Sequence, residues 1–119
     1  MVSAPYFVIE GSDVSAYADY GAIERHLEPI DVKHGIYRLF DAAGTEIGLS
    51  VVKGGVRVGD PTGNDPALLR QALRTYLAAV GREWGIDVAR LAQADLDAVG
   101  GAFKGRVRGG PTADKKAER

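Results

Sequence analysis

Cysteine is absent from the 119-residue chain, which excludes disulfides, thiolate nucleophiles and zinc–sulfur sites together. That absence fits a reducing compartment. An excess of one charge is also lacking. Fifteen Lys and Arg stand against 16 Asp and Glu, for a formal net charge of −1, so the molecule as a whole exerts no electrostatic pull on nucleic acid or membrane. No apolar stretch approaches the roughly 20 residues needed to span a bilayer. The opening MVSAPYFVIEG has no basic region, and its apolar run breaks at Glu10, which does not read as a signal peptide. The length and ordinary composition predict one cytoplasmic, soluble domain with a single core.

What is present is unevenly distributed. Residues 1–59 hold five Lys/Arg against eight Asp/Glu, a balance of −3, and residues 60–119 hold ten against eight, a balance of +2. The run PYFVIE (5–10), closed by Gly11, predicts a strand. After the serines 12 and 15, which are credible N-caps, Tyr20, Ile23 and Leu27 fall at helical spacing, with Ala16 one turn earlier. That periodicity predicts a helix over 13–28, stopped by Pro29. GIYRLFD (35–41) predicts a second strand, DAAG (41–44) a turn, and the alternation of Ile47, Leu49 and Val51 a third strand over 45–52. A fourth strand at 56–59 follows the KGG turn. Asp65-Pro66 is an N-cap and helix start, and the stripe Leu69, Ala72, Leu73, Tyr76, Leu77, Val80 carries a helix over 66–84. A further helix is expected near 88–99, capped by Asp87.

The fold class expected is therefore α+β, a small antiparallel β-meander of about four strands with one apolar side, covered by two to three helices. It is placed in residues 1–100. Residues 101–119 read as a basic, mostly disordered tail, anchored at Phe103 and Val107.

The chemistry-bearing residues each meet an ordinary alternative. His26 and His34, with Glu24, Glu28 and Asp31 around them, offer nitrogen and oxygen donors for a metal, but Pro29 breaks any helical ligand spacing between them. The glycine-rich 54–65 lacks both the Gly-Lys-Ser/Thr ending and the GxGxxG spacing of phosphate loops. Its acids lack the spacing of a calcium loop. No serine lies in a nucleophile elbow. No cofactor is expected, and an enzyme is not the favoured reading. The tail cations Lys104, Arg106, Arg108, Lys115, Lys116 and Arg119 have Phe103 as their one aromatic companion, a poor match to single-strand binders. The more productive combination is aromatic and acidic. Tyr17 and Tyr37, read as lying outside the core, accompany Glu24, Glu28, Asp31, Asp41 and Glu46, and such aromatics are enriched at protein interfaces.

The succession of a short strand and helix, Glu28-Pro29-x-Asp31, a tyrosine-bearing strand ending in FDAAG, the strand EIGLSV and the capped helix PALLRQALRTYLAAVG resembles small bacterial immunity-type and uncharacterised α+β proteins over residues 5–81. The resemblance implies a small partner-binding protein that neutralises a co-encoded toxin, and it carries no catalytic residue. An inhibitor of a basic toxin needs an acidic surface. The partner-binding residues expected on that basis are Glu24, Glu28, Asp31, Tyr37 and Glu46. Two other classes stay open: a small-ligand or metal-binding domain using His26 and His34, and a nucleic-acid accessory protein using the tail.

Overall fold

Two β-branched and aromatic runs joined by Gly11 and Ser12 form the first hairpin, in which β1 (Tyr6–Glu10) pairs antiparallel with β2 (Asp13–Tyr17). The computed structural model describes residues 2–91 and 94–109. After the hairpin come α1 (Tyr20–His26), α2 (Pro29–Lys33), β3 (Tyr37–Phe40), β4 (Thr45–Val52), β5 (Gly55–Asn64), α3 (Pro66–Val80), α4 (Val88–Leu91), α5 (Leu96–Gly101) and β6 (Val107–Arg108). The strands make one sheet in the order β5-β4-β3-β1-β2-β6, antiparallel throughout except for the parallel pair β2–β6.

Because strand side chains alternate between faces, the central strand β1 feeds two cores. Phe7 and Ile9 join Val14, Ala16 and Phe40 under Leu69, Leu73 and Leu77 of α3, together with Val99 and Phe103. Val8 faces the other way, with Leu39, Ile47, Val56 and Val58 against Ile23 and Leu27. The three leucines of α3 are fully buried, so truncating any one to Ala is worth about 2–5 kcal/mol. On the second face α1 touches both β2 and β5, which three other strands separate in the sheet. The sheet therefore curls around α1.

Local chemistry sets the element ends. Asp19 caps α1 by accepting from the Ala22 N–H at 2.7 Å, and Asp65 caps α3 by accepting from the Leu68 N–H at 3.1 Å. The β3–β4 turn is built on Asp41, which is fully buried. Its carboxylate accepts from the N–H groups of Ala43 (3.0 Å), Thr45 (2.8 Å) and Ser3 (3.0 Å), so one side chain shapes the turn and ties down the N-terminal segment.

Several expectations are corrected. The meander of four strands with one apolar side is a six-stranded sheet covered on both faces at its centre. Residues 13–17 are a strand rather than the start of a helix, because hairpin pairing with β1 overrides the weak helical period. Pro29 does not end a long helix; α1 stops at His26, and Pro29 starts α2, where its missing N–H costs nothing. β5 runs well past residue 59, to Asn64. α3 ends at Val80, short of residue 84, and the last expected helix is two short ones, α5 being capped by Asp95 through the Ala98 N–H at 2.9 Å. In the segment after Gly101, described up to Gly109, the two expected anchors are in place. Phe103 is buried, and Val107 and Arg108 pair with β2. The rest of the expected tail, 110–119, lies outside the described residues.

Candidate functional site

The five residues expected to bind a partner lie on four elements: Glu24 on α1, Glu28 and Asp31 at the start of α2, Tyr37 on β3 and Glu46 on β4. Glu24, on α1, reaches the edge strand: its carboxylate accepts from the Val58 N–H at 2.9 Å, with the Arg57 Nε 3.9 Å away. It thereby satisfies an edge donor and fastens the curled sheet to its helix. Glu46 is held by Arg38 through two hydrogen bonds of 2.8 and 3.0 Å, an exposed pair of the kind worth about 0–1 kcal/mol. Glu46 stands opposite Phe40 in the β3–β4 register, and cross-strand partners share a face. Tyr37 packs with the core on the other face. Glu46 and Tyr37 thus start from opposite faces, yet both line one small cavity of about 160 Å³ beside β3 and β4.

Glu28, Asp31 and Tyr37 do come together. Glu28 is the exposed N-cap residue of α2, and Asp31 lies in that helix's first turn, where a negative charge suits the free N–H groups. The Tyr37 hydroxyl donates to the Asp31 carboxylate at 3.3 Å. Burial raises the Tyr37 pKa above its ordinary value, and the neighbouring Asp31 charge adds to this. The phenol therefore stays protonated and keeps its donor role. The turn after α2 folds back, with the His34 N–H on the Ile30 carbonyl and the Ile36 N–H on the Asp31 carbonyl, both at 3.1 Å.

That turn exposes what the sequence reading missed. Ile30 is 61% and Ile36 40% exposed, two large apolar side chains on one compact turn beside Glu28 and Asp31. The available signal was PIDVKHGI, in which Val32 packs inward while Lys33 and His34, the residues three and four after Ile30, are polar. An apolar centre with a charged rim is the composition of a protein contact surface.

The other candidates have structural places. Tyr17, expected outside the core, is 1% exposed; burial raises its pKa although Arg108 opposes this. Asp41 is committed to the β3–β4 turn. His26 ends α1 against the Tyr17 ring, at 5.6 Å between centroids, with the Arg108 guanidinium 3.2 Å from Nδ1. Desolvation, and then the Arg108 charge, lower its pKa below 6.5. His34 is exposed at the end of α2. Among the described residues no group of three or more His, Cys, Asp or Glu side chains is arranged to hold a metal ion. No helix among them is long and apolar enough to cross a membrane. Comparisons with protein families, curated proteins and solved structures return no match to this chain.

Proposed function

We propose that the protein is a non-enzymatic protein-binding module whose contact surface is α2 with the α2–β3 turn. The observation that carries this is the exposure of Ile30 and Ile36 together, rimmed by Glu28 and by the Asp31–Tyr37 pair. Burying the exposed parts of the two isoleucines would contribute about 1 kcal/mol each, and the acids would steer a basic partner into place. A basic toxin occluded by an immunity-type protein fits that chemistry, and the resemblance over residues 5–81 favours this class of partner.

The test is stoichiometric capture of a protein partner by the intact chain, followed by Ile30→Ser with Ile36→Ser, and separately Glu28→Lys with Asp31→Lys. Both pairs are expected to release the partner; the isoleucine pair leaves the Asp31–Tyr37 bond in place, whereas the lysine pair removes it, so the lysine pair is read beside its own melting temperature. Retention of the partner by both pairs would refute this surface. A metal titration with no shift at the His26 or His34 imidazole closes the metal-binding alternative.

A further inference from the structure

Four consecutive residues of β2, Asp13 to Ala16, line one cavity of about 350 Å³. Successive strand side chains point to opposite faces, so a cavity touching all four lies against the backbone edge of the strand. Among the described residues β6 pairs with that edge only at Ala16 and Tyr17. The Ala18 N–H donates to the Arg108 carbonyl at 2.8 Å. By the period of two, the main-chain groups of Ala16 and Val14 face the same way. Those of Ala16 meet β6, and those of Val14 meet the cavity.

The walls are chemically asymmetric. Trp84 lines the cavity, packed edge-on against Phe103 at 5.4 Å, and the Arg106 guanidinium stands 4.6 Å from the Trp84 ring centroid. Arg106 and Arg108 mark the end where β6 begins. Glu10 and Asp13, a cross-strand pair, mark the hairpin end.

We propose that this cleft receives the C-terminal strand of a partner polypeptide, laid parallel to β2 on its open edge with the terminal carboxylate against Arg106. Three observations select this occupant. The strand edge supplies main-chain pairing, as in other cases of strand addition. β6 occupies the continuation of the same edge, so an added strand has to end where β6 starts. The charge at that end is positive, which suits a carboxylate terminus and opposes an ammonium. At roughly 3.3 Å per residue, a Lys or Arg side chain two or three positions upstream falls beside Glu10 and Asp13. The cleft is at the edge of the sheet remote from α2, so its fate does not bear on the α2–β3 surface.

Trp84 is the one tryptophan of the chain, and its fluorescence reports on the cleft. The full chain is titrated with acetyl-Lys-Val-Thr-Val as the free acid, with the same peptide as its C-terminal amide, and with acetate, followed by Trp84 emission and by amide NMR. The free acid is expected to shift the Val14 and Ser15 amides and the Trp84 signal, with the amide at least about tenfold weaker because the charge-assisted hydrogen bonds are lost. Arg106→Gln is expected to bring the free acid down to the level of the amide. Equal binding of acid and amide, shifts reproduced by acetate alone, or no shift at Val14 would overturn the proposal. The acid–amide comparison needs no variant and holds even if Arg106→Gln folds poorly.

Discussion

The Glu24 carboxylate accepts the Val58 N–H at 2.9 Å, joining α1 to the outermost strand of a sheet that curls around it. A carboxylate that reads as part of a binding surface is thus a fastening, and it blunts an edge that strands of other molecules could otherwise join.

Glu24→Ala is therefore expected to destabilise by about 1–3 kcal/mol, the cost of leaving a partly buried donor unmet. For a domain of this size each kcal/mol lowers the melting temperature by roughly 4–8 °C. Thermal unfolding followed by circular dichroism measures it. An unchanged midpoint would show that the bond does not hold the sheet closed.

Asp41→Asn tests the turn in the same way. The amide oxygen can still accept from Ala43 and Thr45, which share one carboxylate oxygen, but the amide nitrogen then presents a donor where Ser3 already donates, so a loss of about 1–3 kcal/mol is expected. Amide exchange should rise at Ser3 first. A variant as stable as the parent would mean that the carboxylate is dispensable to the turn.

Gly44 sits at φ +91°, and a Cβ built there would approach the Pro66 Cα to 2.4 Å. Its carbonyl also accepts the Asp65 N–H at 2.9 Å, so the turn and the start of α3 are locked together. Gly44→Ala combines backbone strain of about 1–3 kcal/mol with a clash against backbone. A strongly lowered urea midpoint is expected, and tolerance of alanine would contradict the close approach.

How much of this was legible follows from local chemistry. The β3 turn, the alternation of β4 and the Asp65-Pro66 start of α3 are signalled by residues adjacent in sequence, and the structure has them. β2 was hidden because Ala16, Tyr20, Ile23 and Leu27 mimic a helical stripe, although Gly11-Ser12 between two β-rich runs is a hairpin signal. β6 is two residues long and is set by its pairing with β2, which no local pattern encodes. Within the candidate site, Glu28, Asp31 and Tyr37 are adjacent because one short turn joins them. The partners of Glu24 and Glu46 were not legible, because Val58 and Arg38 lie on strands that no local pattern joins to them.

His26 predicts a pH effect. Its folded pKa lies below 6.5, through desolvation and then Arg108, so the folded state binds fewer protons than the unfolded state as the pH falls. Stability from this group is present above about 6.5 and is lost progressively below it. His26→Asn should therefore improve relative to the parent between about pH 7.5 and about pH 5, read from paired urea midpoints. A gap that stays constant with pH would contradict the assignment.

The most direct test of the central claim is partner capture by Ile30→Ser with Ile36→Ser, measured alongside unfolding. Because Ile30 and Ile36 are partly buried as well as partly exposed, the pair should cost about 1–2 kcal/mol of stability and leave the fold intact, while capture falls to background. Capture equal to that of the parent chain, with the fold intact, would contradict a binding surface on α2 and the α2–β3 turn.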